Sequence, residues 1–248
     1  MGRLDEKVAI VTGSGRGIGR ATAKLFGAEG AKVVVLSRTP ENVERVVADI
    51  QADGGEALGV VCDIADPHQI TAAVKKVIEE YGRIDILVNN AFDPSAVLSS
   101  VIDLSTEQLQ RNFEMGPIAY LRMMQACYPH LKASGEGRII NFGSTAGVVA
   151  IEGYAPYGMA KEAVRALTRS AAREWAIDGI TVNNLLPVAD TWGAAESDAP
   201  PPTNALGRYG SPEKDVAPVV LFLASRDAQY LTGYSFAPDG GFMIDAAR

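Results

Sequence analysis

Hydrophobic positions along the chain form short continuous runs that alternate with longer periodic stretches. KVAIVT at 7–12, AKVVVL at 31–36, ALGVV at 57–61, DILV at 85–88 and RIINF at 138–142 are short, apolar and mostly β-branched. Runs of this kind, without polar alternation, predict strands buried on both faces. Between them, residues 20–30, 40–52 and 67–81 carry apolar side chains at helical spacing. Pro40 and Pro67 suit a first helical turn, and Asp53-Gly54-Gly55 suits a helix end. A long helix is predicted from about 154 to 176, a sixth strand at 179–186, a helix over 212–225 and a last short strand at 235–237, followed by a turn at Asp239-Gly240-Gly241. Strict alternation of strand and helix predicts one doubly wound, seven-stranded parallel sheet with helices on both faces, a single α/β domain over residues 1–248. Ligands of such a sheet belong beyond the C-terminal ends of its strands.

Candidate chemistry falls at those ends. The first strand runs into Thr12-Gly13-Ser14-Gly15-Arg16-Gly17-Ile18-Gly19, and a helix follows. Free N–H groups at a helix start attract a pyrophosphate, and glycines let the backbone approach it. The spacing through Gly13, Gly17 and Gly19 is G-x-x-x-G-x-G, which is neither the G-x-G-x-x-G fingerprint nor a P-loop. The second strand ends in Ser37-Arg38-Thr39, with no carboxylate for a ribose 2′-hydroxyl. Arg38, with Arg16 as a second cation, suits a 2′-phosphate, so NADP(H) is expected rather than NAD(H). Asp63, beside Ile64 at the end of the third strand, is expected either to accept from an adenine amino group or to cap a helix. The fourth strand closes on Asn89-Asn90-Ala91-Phe92.

Tyr157 and Lys161 stand four apart in the long helix and so share a face. A phenol with a pKa of about 10 is a poor acid or base at neutral pH. A neighbouring ammonium favours the phenolate, and reaching neutrality takes a shift of about 3 units, or about 4 kcal/mol. An ordinary helix face carries a tyrosine and a lysine just as readily, so the neighbours decide.

Taken together, T-G-x-x-x-G-I-G at 12–19, N-N-A at 89–91, Ser144 thirteen residues before Tyr157, and Y-x-x-x-K at 157–161 resemble the short-chain dehydrogenase/reductase family, in order and spacing over nearly the whole chain. The resemblance implies a Rossmann fold, hydride exchange with a nicotinamide cofactor, and a ketone or aldehyde interconverted with its alcohol. It implies that Ser144 orients the carbonyl oxygen and that Tyr157 passes the proton. Lys161 would lower the Tyr157 pKa and hold the nicotinamide ribose. Asn90, Pro187 and Thr191 would lie along the cofactor. Homotetramers or homodimers are common in the family. Three residues depart from its pattern: Phe92 and Val188 stand where glycine is usual, and Gly116 stands where an asparagine is usual. Gly116-Pro117 is expected to keep the helix kink found there, because proline removes an N–H and clashes with the previous turn.

Composition narrows the picture further. The 248 residues are 47% hydrophobic and carry a net charge of −7, enough for one large core and unsuited to nucleic acid. The two histidines, His68 and His130, follow prolines at expected helix termini, and the two cysteines are far apart, which leaves little for zinc or Ser-His-Asp chemistry. No run is long enough to cross a membrane and the N-terminus is charged, so a cytoplasmic protein is expected. The residues expected on the substrate side, Phe92, Val149, Tyr154, Val188 and Trp192, are mostly apolar and favour a hydrophobic or cyclic carbonyl compound. Residues 188–210, with Pro200-Pro201-Pro202, are expected to form a lid. Two other readings are a 3-oxoacyl thioester reductase, which would want a basic cleft mouth, and a cofactor-binding sensor or scaffold without turnover.

Overall fold

The computed structural model describes residues 2–93, 98–190 and 203–244. Its strands are β1 (Val8–Thr12), β2 (Lys32–Ser37), β3 (Glu56–Val61), β4 (Ile86–Asn89), β5 (Arg138–Phe142), β6 (Thr181–Leu185) and β7 (Ser235–Phe236). They form one seven-stranded sheet in the order β3-β2-β1-β4-β5-β6-β7, every pair parallel. The expected Rossmann architecture is therefore present. The helices are α1 (Gly17–Ala28), α2 (Pro40–Ala52), α3 (Pro67–Tyr81), α4 (Thr106–Phe113), α5 (Ala119–Ser134), α6 (Thr145–Val149), α7 (Ala155–Trp175) and α8 (Ala217–Ala224). No helix among the described residues is long and apolar enough to cross a membrane.

The period-two alternation of strand side chains divides the core into two layers. Val8, Ile10, Val34, Leu87, Ile139 and Val182 pack with Ile70 and Val74 of α3, Met123 and Leu131 of α5 and Val164 of α7. Ala9, Val11, Val33, Val88, Ile140 and Leu185 pack on the other face, with Phe26 of α1, Val46 of α2 and Val220 of α8. Both faces are covered, so polar chemistry is left to the strand ends.

Element bounds differ from the pattern in a few places. Helix α1 starts at Gly17 because the last residues of the glycine turn already form its first turn. Pro129 does not end α5, which runs on to Ser134 and stops at the left-handed Gly135. Asp66, rather than Asp63, caps α3, accepting from the N–H groups of His68 at 2.8 Å and Gln69 at 3.4 Å. The five-residue α6 is too short to show a period. Between α4 and α5, Glu114–Ile118 makes one π-type turn in which Gly116 leaves helical geometry at φ −114°, ψ −105°. This is the kink expected at Gly116-Pro117.

A buried polar chain ties α7 to the sheet. Asn89 Nδ2 donates to Asn141 Oδ1 at 2.9 Å, Asn141 Nδ2 donates to Thr168 Oγ1 at 3.0 Å, and Thr168 Oγ1 donates to the Val164 carbonyl at 2.9 Å. Removing the middle amide strands buried partners on both sides. Asn141→Ala is expected to cost about 2–3 kcal/mol, read as a lower urea midpoint at unchanged m-value. A loss below about 0.5 kcal/mol would show that the chain is not a brace.

Candidate active site

A cleft of about 710 Å³ opens at the C-terminal edge of the sheet, between the glycine turn, the ends of β2, β4 and β5, and the start of α7. It begins where β1 meets β4. Thr12 Oγ1 accepts from the N–H groups of Asn90 and Ala91 at 2.9 and 3.1 Å and donates to the Val88 carbonyl at 3.2 Å. Asn90 Nδ2 returns a bond to the Thr12 carbonyl at 2.9 Å. Gly13 turns the chain here at φ +65°, and a Cβ on it would fall 2.7 Å from Ala91 Cα. A Cβ on Gly19 would fall 2.4 Å from the Gly13 carbonyl oxygen, so the turn closes only on glycine.

These residues fit a dinucleotide. No side chain caps the first turn of α1, so its N–H groups are left for a ligand. Gly13, Arg16, Gly17 and Ile18 line the cleft beside them. Ser37, Arg38, Ile64, Asn90 and Pro187 line it further along. The Arg38 side chain is half exposed, with Nη1 3.8 Å from Asp93 Oδ2. Arg111 holds the same carboxylate oxygen at 3.0 Å. Gly19 is buried beneath the turn and supports it without reaching the cleft.

At the other end of the cleft, α7 and the loop after β5 bring Ser144, Tyr157 and Lys161 together. Ser144 is the N-cap of α6: its Oγ accepts from the Ala146 N–H at 3.1 Å, and the residue lines the cleft together with Tyr157. The Tyr157 phenol stands above its ordinary value because burial raises it, opposed by the Ser144 hydrogen bond and reinforced by Tyr154. The expected lowering by Lys161 is absent from this arrangement. Burial pulls the lysine itself down to about 7, and its Nζ lies 5.6 Å from the Tyr157 ring centroid while donating to the Phe142 carbonyl at 2.7 Å.

Three further expectations need correcting or bounding. Asp63 lies outside the cleft lining; its Oδ1 accepts from the Ala65 N–H at 3.0 Å and shapes the turn before α3. Val149 ends α6, is 43% exposed and does not line the cleft; the next residue, Ala150, turns the chain through the left-handed region at φ 54°. Ile151 and Tyr154 line the cleft in its place. Thr191 and Trp192 lie outside the described residues. Phe92 and Val188 line the cleft as expected, joined by Met115, Thr203, Tyr209 and Phe242. Those four carry no local signature. They come from the helix kink, the far end of the 188–210 segment and the chain's last turn, and only folding brings them to one wall. The base of that segment is closed by Asp190 N–H to the Gly210 carbonyl at 2.9 Å and Gly210 N–H to the Val188 carbonyl at 3.1 Å.

Comparison with known proteins agrees with this geometry. A family model described as short chain dehydrogenase matches residues 7–196. The chain is 37% identical to the short-chain reductase protein NovJ of Streptomyces niveus, covering 95% of this chain and 94% of that protein. It is 35% identical to a 3-oxoacyl-(acyl-carrier-protein) reductase of a Synechocystis species, covering 98% and 100%. It is also 35% identical to a cyclohexanol dehydrogenase of an Acinetobacter species, covering 97% and 96%.

The kink tolerates a side chain. A Cβ on Gly116 meets only Ala160 Cβ, at an ordinary 3.7 Å. Gly116→Asn is expected to fold, with a melting temperature within about 3 °C of the parent and turnover within about tenfold. A thousandfold gain in turnover would show that the missing amide, not the backbone, limits the site.

Proposed function

Because the chain belongs to the short chain dehydrogenase family, whose members are NAD(P)(H)-dependent oxidoreductases acting on alcohols and ketones, we propose that it is an NADP(H)-dependent carbonyl reductase or alcohol dehydrogenase with a Ser144–Tyr157–Lys161 site. The observation that carries this reading is that Ser144, Tyr157 and Lys161 line one cleft together with the uncapped first turn of α1. Gly13, Arg16, Gly17, Ile18, Asn90 and Pro187 would hold the dinucleotide, and Arg38 would take the 2′-phosphate. The nicotinamide, when bound, supplies or accepts the hydride.

The protein's own part is position and proton. Ser144 offers its hydroxyl to the carbonyl oxygen and lines it up with Tyr157. Tyr157, held above its ordinary value, stays protonated at neutral pH and donates to that oxygen as the alcohol forms. Lys161, beneath both, carries the charge that stabilises a phenolate once the proton has left. The apolar wall of Phe92, Met115, Ile151, Tyr154, Val188 and Phe242 favours a hydrophobic or cyclic substrate. A reducing cytoplasm belongs to the same reading, supported by the free, buried Cys62 and Cys127, and a homo-oligomer belongs to it by family resemblance alone.

Two measurements test it. Initial rates of NADPH and NADH oxidation against cyclic, aryl, aliphatic and 3-oxoacyl thioester carbonyls should show turnover that favours NADPH and falls at least about a thousandfold in Tyr157→Phe. Arg38→Asp should reverse the cofactor preference. Preference for NADH in the parent would mean that Asp93, not a phosphate, is the partner of Arg38. Dinucleotide binding with no turnover across the panel would favour a sensor. The second measurement is pH dependence. A phenol raised above its usual value is the acid form throughout neutral pH, so any change in reduction rate there should follow Lys161, whose charge is lost as pH rises through about 7. Alcohol oxidation, which needs the phenolate, should climb steadily with pH and go on climbing beyond about 10. An oxidation profile that levels off below pH 8 would contradict the tyrosine assignment.

A further inference from the structure

Lys161 is 2% exposed, and among the described residues no charged group acts on it. A buried ammonium ordinarily needs a carboxylate or several hydrogen-bond acceptors. Here the acceptor is one backbone carbonyl, that of Phe142, 2.7 Å from Nζ. Aromatic rings stand over the nitrogen. The Phe92 centroid lies 4.8 Å from Nζ, the Tyr120 centroid 5.3 Å and the Tyr157 centroid 5.6 Å. All lie within the range where a cation is drawn to the negative face of a ring.

Phe92 is the nearest of the three and comes from a different part of the chain, the segment after β4. Its ring also meets Tyr157 edge-on, with centroids 5.0 Å apart and planes at 71°. Tyr120 adds a telling detail. It is wholly buried, and its hydroxyl has no hydrogen-bond partner among the described residues. What the residue presents to Lys161 is its ring.

We propose that Phe92 is a positioning residue that completes an aromatic cage around Lys161, the ring faces standing in for the missing carboxylate and holding the lysine as a cation. Two effects of Phe92 have opposite signs and can be separated. As bulk it keeps water out, which disfavours the charged lysine. As a π face it favours the charge. Among the described residues, the titratable groups facing Nζ are Tyr157 on its own helix and Tyr120 on α5; β5 offers the Phe142 carbonyl and the segment after β4 the Phe92 ring. Both phenols are raised above their ordinary value and stay neutral while the lysine titrates. This inference goes beyond the proposed reaction, and its test needs neither substrate nor cofactor.

The test is NMR titration of the full chain with isotope-labelled lysine, Lys161 being assigned as the resonance lost in Lys161→Met. Phe92→Leu keeps the bulk and removes the π face, so the Lys161 midpoint should fall by about 0.5 to 1.5 pH units. Phe92→Met repeats the test with a more adaptable side chain in case the leucine variant does not fold. Phe92→Tyr restores the face and should return the midpoint to the parent value. Tyr120→Phe should hold it there too, whereas Tyr120→Leu should lower it. A midpoint in Phe92→Leu or Phe92→Met equal to or above the parent's would overturn the cage, as would a Phe92→Tyr midpoint that falls as far as theirs.

Discussion

A threonine hydroxyl joins the two strands between which the whole cleft opens. Thr12 on β1 accepts from two N–H groups after β4 and donates to the Val88 carbonyl, so the two strand ends are fixed as one edge. At this point the strand order reverses: β2 and β3 lie on one side of β1, and β4 to β7 on the other. The helix that follows β1 packs on one face of the sheet, and the kinked helix leading from β4 to β5 packs on the opposite face. The chain therefore parts at the join, and a crevice is left above it. Gly13 and Gly19 fit the remaining space so closely that the glycine turn follows from the join as much as from any ligand.

The same sheet sets what the site can be made of. Its strands are apolar on both faces, so functional groups can stand only on their C-terminal ends and on the helix starts beside them. Ser144 follows the end of β5, and the Phe142 carbonyl that receives Lys161 belongs to the last residue of that strand. Helix α7 is held to the sheet by the Asn89–Asn141–Thr168 chain, which fixes the height of Tyr157 and Lys161 relative to Ser144. Position is thus settled by backbone and amide contacts below the site. The candidate groups above are sparsely bonded: Ser144 accepts from the Ala146 N–H, and Lys161 donates to the Phe142 carbonyl.

The departures from the family's pattern have physical neighbours. Gly116 sits at the centre of the π-type turn and leaves room beside Ala160. One helical turn on, the buried ring of Tyr120 faces Lys161. Phe92 faces the same nitrogen from the loop after β4, and the next residue, Asp93, reaches the other way towards Arg38 and Arg111. Two consecutive residues of one loop thereby touch both halves of the cleft, the end with Tyr157 and Lys161 and the end with Arg38.

What the sequence alone determined were features carried by short-range pattern. β-branched runs gave the strands, and helical periods gave five of the helices, to within a few residues, because burial on both faces leaves an unbroken apolar signature; α4, α5 and α6 were not bounded by pattern. The glycine spacing, the four-residue offset of Tyr157 and Lys161, and the thirteen-residue offset of Ser144 pointed to one edge of one sheet. Tertiary structure decided the rest. Asp63 and Val149 belong to the right loops, yet neither lines the cleft: Asp63 accepts from the Ala65 N–H, and the chain turns through the left-handed region just after Val149. Tyr209 and Phe242 reach the cleft from distant segments that no local pattern links to it. The charge environment was least legible. A lysine four residues from a tyrosine predicts a lowered phenol, but burial acts on both groups at once, raising one and lowering the other. Burial is a property of everything packed around a side chain, and no window of sequence contains it.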